Sequence, residues 1–403
     1  MRKIMFAASC LALPALLPVP PARADASAEL ADFLKTSGAK ENIVKPAAGI
    51  LKHPYLVPAG PYFQLFDWDM YFMSAALSYD GVSGPVEDSV RDFLDFVDEN
   101  ANNAGYAPRE IASDQPWALP EQCKPFIAQA AVRASLTSGK WEWLKPLYGK
   151  LGHMTEFWEN TRRAPDGLFV WYNGVESGTD NSPAVIDSPA MTTEGVDLQV
   201  YLYREYSALA LIGEKLGDEK AAAAYRKKAE DLRTLMRKLM WSEEDGLFYN
   251  LDARTGKPIK VKAWTSFTPL WARMATLKQA KRMIDEHLLS PKEFWAPHGV
   301  RTLAATEPLY RPADGYWRGP IWIISNYLMM RGLLNYGYKS NAVELAGKTT
   351  DLLVADFRKT KGMNECYDPE TGESAAQGLF VSWNLLSEHM LREAETGADP
   401  TAF

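Results

Sequence analysis

Residues 196–239 read VDLQVYLYREYSALALIGEKLGDEKAAAAYRKKAEDLRTLMRKL, and this stretch decides the architecture. Val196, Val200, Tyr203 and Tyr206 recur at three-to-four spacing, while Arg204, Glu205 and Lys215 fall off that stripe, so 196–216 is an amphipathic helix. Gly217 ends it and Asp218 caps a successor that runs to Leu239. A single glycine between two long helices makes them a pair. Working outward, the same periodicity predicts helices over 29–34, 70–78, 86–99, 125–136, 141–162, 266–287, 320–336, 340–357 and 378–392. Gly337 closes one of these and Ser340 caps the next. Strands are short, at 167–171 and 246–249, with a turn at Thr255-Gly256. No strand–helix alternation runs along the chain, which excludes doubly wound and TIM-type folds. No repeat of 20–50 residues and no Pro/Ser linker stand out. The expected fold is all-α: about eleven helices paired around an axis, with long loops and short β-hairpins, in one domain over 25–403.

The first 24 residues stand apart. Arg2 and Lys3 precede an apolar run from Ile4 to Leu17, and Ala22-Arg23-Ala24 is a small-x-small cleavage pattern. This predicts a secretory leader cut after Ala24, hence a periplasmic or secreted protein. Pro14, Pro18, Pro20 and Pro21 make the run unfit for a membrane anchor. Of the 403 residues 47% are hydrophobic, and Lys plus Arg total 44 against 51 Asp plus Glu, a formal charge of -7. With no basic run, neither nucleic acid nor an anionic membrane is an expected partner. A small molecule is. Beyond the leader only Cys123 and Cys366 remain, too few for a disulfide scaffold or a zinc site.

Elimination narrows the chemistry. His53, His153, His287, His298 and His389 are scattered without ligand spacing, so no metal is expected. There is no Gly-x-Ser-x-Gly elbow and no phosphate loop or dinucleotide motif, so no cofactor is expected either. Carboxylates among aromatics remain. Asp180, in Glu176-Ser177-Gly178-Thr179-Asp180-Asn181-Ser182-Pro183, follows Trp171 and Tyr172; desolvation there raises its pKa toward a proton-donating role. The same residues also suit a plain Asx-turn. Glu365, before the turn Asp368–Gly372, could deprotonate a water or be an ordinary loop acid. Tyr62, Phe63, Phe66, Trp68, Tyr71 and Phe72, then Tyr316, Trp317, Trp322 and Trp383, supply faces for the C–H surfaces of a sugar, with Asp69, Arg318, Asn326 and Asn384 for its hydroxyls. Core filling is the alternative for most of these rings.

Four blocks, in order over 60–390, resemble the α-glycosidases of glycoside hydrolase family 63: Phe66-Asp67-Trp68-Asp69-Met70-Tyr71-Phe72; Glu176 to Pro183; Tyr316-Trp317-Arg318-Gly319-Pro320-Ile321-Trp322; and Asn364-Glu365 with Pro369-Glu370-Thr371-Gly372. The resemblance implies an (α/α)6 barrel and an inverting α-glycosidase acting on an α-glucoside or α-mannoside, with Asp180 as general acid and Glu365 as general base. It places Phe63, Trp68, Asp69, Lys124, Glu176, Asn181, Trp317, Arg318, Trp322 and Trp383 around the sugar. Inversion would set the two carboxyls roughly 6.5–9.5 Å apart. Trehalases share the Glu-Ser-Gly-x-Asp element, but their Gln-Trp-Asp-x-Pro signature is missing. Where the family often has Ser-Gln-Pro-Pro, this chain has Cys123-Lys124-Pro125-Phe126, which puts a cation near the sugar and favours an acidic aglycone such as glycerate or a uronic acid. The proximity of Cys123 and Cys366 to these blocks allows a disulfide bracing the pocket. A carbohydrate-binding barrel without turnover, or an isomerase or uronide lyase using His298, are the competing classes.

Overall fold

The computed structural model describes residues 21–403 apart from 101, 117–119, 187 and 377, with side chains from 25 onward. The predicted leader therefore lies outside the described residues, except for the backbone of 21–24 at the start of helix Pro21–Thr36.

Six inner helical segments touch in succession and close on themselves. Asp67–Tyr79 packs on Ile127–Ser138, which packs on Val196–Leu216, then come Thr268–Trp271 and Ile323–Asn335, and the segment Ser382–Leu386 with Ser387–Thr396 returns to Asp67–Tyr79. Outside them run Pro21–Thr36, Gly84–Asp95, Tyr148–Thr161, Glu219–Leu239, Leu277–Arg282 and Lys339–Thr360. This is an (α/α)6 barrel, and composition separates its layers. Residues 67–78 of the inner helix Asp67–Tyr79 are buried on every side. The outer helix Glu219–Leu239 buries only Ala222, Ala229, Leu232 and Met236, a single stripe.

The connections are unequal. Inner helices pass to outer ones through connections of nine residues or fewer (80–83, 139–147, 217–218, 272–276, 336–338), whereas the returns are long (37–66, 96–126, 162–195, 240–267, 289–322, 361–381). All the long loops therefore collect at the N-terminal ends of the inner helices. Short antiparallel pairings shape them. Leu65–Phe66 pairs with Glu110–Ile111, bringing Arg109 beside Asp67. Val170–Trp171 pairs with Thr193–Glu194, closing the 172–192 loop at its base, and Asn250–Asp252 extends that sheet to Lys257–Ile259.

Caps explain where expectation and structure part. Gly217 adopts φ 80°, and Asp218 accepts from the Ala221 N–H at 3.0 Å, as predicted. The helix predicted over 141–162 instead breaks into a turn at 142–144 and Tyr148–Thr161, because Pro146 lacks a donor. The 266–287 segment splits because Pro269 opens Thr268–Trp271 and Thr276 with Gln279 forms a capping box for Leu277–Arg282. Ser340 lies inside Lys339–Thr360, whose N-cap is Tyr338. Cys123 and Cys366 are both buried free thiols, so the disulfide allowed by the resemblance is not formed. Among the described residues no helix is long and apolar enough to cross a membrane.

Candidate active site

A cleft of about 260 Å³ opens among the long loops. It holds four carboxyls, Asp69, Glu110, Asp180 and Glu365, and two cations, Arg109 and Lys124, between walls of Tyr62, Phe66, Trp68, Tyr316, Trp317, Trp322, Phe380 and Trp383. Trp317 and Trp322 stack at 3.9 Å with planes 8° apart, and Trp68 bridges Trp317 and Trp383. The indole N–H groups of Trp317 and Trp383 are buried without a protein partner among the described residues.

Asp180 sits just past a single helical turn, Gly174–Ser177, capped by Asn173, which accepts from the Glu176 N–H. Gly178 ends that turn at φ 79°, where a Cβ would lie 2.7 Å from the Trp68 ring; only glycine lets the chain turn there. Burial raises the Asp180 pKa, while the charges of Arg109 and Lys124 oppose the rise. Its aromatic surroundings are Trp68, Tyr316 and Trp317 rather than the neighbours in sequence. Trp171 is buried in the core and donates to Asp197 at 3.0 Å.

Glu365 lines the same cleft from the loop that follows Lys339–Thr360. Asp356 fixes this loop, accepting from the Asn364 side chain at 2.9 Å and from the Tyr367 hydroxyl at 2.7 Å. The Tyr62 hydroxyl donates to Glu365 Oε1 at 3.0 Å. Burial pushes Glu365 up to about 7; the Tyr62 bond works against this and the Asp180 charge reinforces it. Asp69 is also held at about 7 by burial, although the Ser382 hydroxyl donates to it at 2.5 Å.

Of the residues expected at the sugar, Trp68, Asp69, Lys124, Trp317, Trp322 and Trp383 line this cleft with Asp180 and Glu365. Four do not. Phe63 is 65% exposed and faces solvent, because the turn that closes Tyr62 onto Ala59 carries the Tyr62 hydroxyl to Glu365 instead. Glu176 is fully buried behind the loop, accepting from the Gln122 N–H at 2.8 Å and from Arg162 Nη2 at 3.2 Å. Asn181 accepts from the Trp317 N–H and donates to the Gly315 carbonyl, each at 3.0 Å, and Arg318 donates to the Asn181 carbonyl at 2.9 Å. These two stitch the Asp180 loop to the Tyr316-Trp317 segment. Lys124 is in the wall, but its ammonium lies 3.2 Å from buried Asp67 and over the Trp68 ring at 4.9 Å. With its charge answered by Asp67, it is no free receptor for an anion. Sequence reasoning missed Arg109, Glu110 and Phe380, which reach the cleft through strand pairing and loop packing. His298 packs against Gly372, outside the lining.

A barrel whose long loops gather carboxyls and tryptophans around one small cleft defines a glycosidase-type protein. The chain belongs to the mannosylglycerate hydrolase MGH1-like glycoside hydrolase domain family, matched over residues 87–383, and so to the wider glycoside hydrolase family 63 assemblage related to trehalases. It is 30% identical to a mannosylglycerate hydrolase of Thermus thermophilus over 36% of this chain and 33% of that protein. It is 22% identical to a periplasmic trehalase of Escherichia coli over 81% of this chain and 65% of that one. Its fold matches the crystal structure of a GH63 mannosylglycerate hydrolase from Thermus thermophilus in complex with Tris and D-glycerate, with a TM-score of 0.68 and 20% identity over 91% and 99% of the two chains. The chain spans only about a third of the length of the curated mannosylglycerate hydrolase and under two thirds of the trehalase.

Proposed function

We propose that this protein is an exported, inverting α-glycosidase that removes a single glucosyl or mannosyl unit from a small α-glycoside. The observation that carries the reading is the presence of Asp180 and Glu365 in one desolvated, aromatic-walled cleft, close enough for the Asp180 charge to be felt by Glu365. Asp180 protonates the glycosidic oxygen while Glu365 takes a proton from water attacking the opposite face of the ring. The cleft falls just below the ~300–1,000 Å³ of drug-sized ligand sites, which suits one ring rather than a polymer. Asp69 and the indole N–H groups of Trp317 and Trp383 supply hydroxyl contacts. Four carboxyls against two cations favour a neutral sugar in the ring site. Lys124 is paired with Asp67 and Arg109 with Glu110, so an acidic aglycone would have to compete with a carboxylate already in place for either cation. Export rests on the leader pattern before Asp25 and is checked by N-terminal sequencing of protein recovered from the cell envelope.

Hydrolysis of a panel of trehalose, kojibiose, nigerose, mannosylglycerate and glucosylglycerate, followed by NMR, tests the reaction. Release of the β-anomer first from an α-glycoside is the expected result. Release of the α-anomer overturns inversion, and binding without turnover would indicate a carbohydrate-binding barrel.

The pH profile provides a second check. With Glu365 as base, kcat/KM falls as pH drops below about 7, where that carboxylate takes up a proton. Tyr62→Phe removes a bond that favours the ionised form, so this limb should move to higher pH by roughly half to one unit. A profile unmoved by the substitution would mean that another group sets the limb.

A further inference from the structure

We propose that His53, Asp92 and Asp95 form a divalent-cation site on the outer wall of the barrel, suited to Zn²⁺ or a neighbouring first-row ion. One ligand atom from each lies within 4.8 Å of the others. The helix Gly84–Asp95 carries Asp88, Asp92 and Asp95 at positions i, i+4 and i+7, on one face. The 52–53 segment crosses that face, its two backbone N–H groups donating to Asp92 Oδ1 at 3.0 and 3.2 Å.

The second carboxylate oxygen of Asp92 points to a ligand. Asp92 is fully buried, and its Oδ2 has no hydrogen-bond partner among the described residues. A buried carboxylate oxygen left unpaired is costly, and a shared cation would satisfy it. The His53 ring and the Asp95 carboxyl, 34% exposed, stand beside it, leaving positions for water. Lys52 Nζ competes at 2.8 Å from Asp95 Oδ2, but its side chain is 68% exposed and can swing into solvent. One imidazole with two carboxylates is a donor set for Zn²⁺, Mn²⁺ or Co²⁺; Ca²⁺ and Mg²⁺ prefer all-oxygen sites. The other His-acid cluster, Asp80, Glu388 and His389, differs in that Lys40 already bridges its two carboxyls at 2.6 and 2.8 Å. None of the three residues lines the cleft, so the ion would staple the loop before Tyr55 to the outer helix rather than join the chemistry.

Full-length protein stripped with chelator and titrated with Zn²⁺ by calorimetry tests the site, with thermal unfolding in parallel. The expected result is one Zn²⁺ per chain and a raised Tm, with affinity at least about tenfold weaker in both His53→Ala and Asp95→Asn. These partly exposed positions spare the fold, whereas Asp92 also holds backbone. Co²⁺ should give visible bands in the parent protein that disappear in His53→Ala. No binding up to millimolar Zn²⁺ would overturn the proposal. So would binding that survives His53→Ala and is lost in His389→Ala.

Discussion

Asp180→Asn and Glu365→Gln should each lower kcat by roughly 10²–10⁴-fold, the usual contribution of one positioned general acid or base. Both changes keep the shape of the side chain, and neither carboxyl supports the fold: Glu365 receives one hydrogen bond, from Tyr62, and Asp180 is held through its backbone and neighbours. Thermal midpoints should stay near that of the parent protein. The two variants are distinguished by the leaving group. An aryl glycoside departs without a proton, so it should recover much of the activity lost in Asp180→Asn. Glu365→Gln should gain nothing, because water still needs its base. Near-parental turnover in either variant would remove that residue from the mechanism, and aryl rescue of Glu365→Gln instead would exchange the two roles.

Glu176→Ala should be the most damaging substitution for stability, by about 3–5 kcal/mol. Glu176 is wholly buried and answers buried Arg162, and its carboxylate also accepts from the Gln122 and Tyr172 N–H groups. Removing it leaves the Arg162 charge unanswered, with only the Pro120 carbonyl still accepting from it, and two backbone donors without partners in a dry environment. Burial pushes the Glu176 pKa up while Arg162 pulls it back, so the pair exists only because each charge is met. Glu176→Gln keeps the shape and some of the acceptor capacity and should cost less. Denaturant unfolding of both variants measures the difference. Because this pair underlies the Gly174–Ser177 turn, any folded Glu176 variant should also lose activity through a displaced Asp180. A Glu176→Ala protein as stable as its parent would show that the pair contributes nothing net.

The case of Glu176 shows how far a local reading reaches. Its position four residues before Asp180 was legible, but its direction was not: the Asn173 cap and the αL glycine at 178 turn Glu176 into the core and Asp180 into the cleft. The same holds at 62–63, where the turn closing on Ala59 decides that Tyr62 meets Glu365 and Phe63 meets water. Nearness in sequence makes Trp171 the neighbour expected to desolvate Asp180, yet strand pairing carries it into the core.

By itself the sequence determined the helical class, the pairing of helices around a Gly217-type turn, and the residues with the means to do chemistry. These follow from periodicity, from the backbone preferences of glycine, aspartate and proline, and from elimination of serine and nucleotide motifs, all local properties of the chain. Only the tertiary structure decided which of those side chains meet. Lys124 reaches Asp67, Arg109 reaches the Asp180 loop, and His53 stands 39 residues in sequence from the Asp92 carboxylate whose backbone partner it is. Such encounters depend on how six inner helices close into a ring and on which end gathers the long loops. No short-range pattern encodes that closure, because it is the sum of packing contacts between segments far apart in the chain.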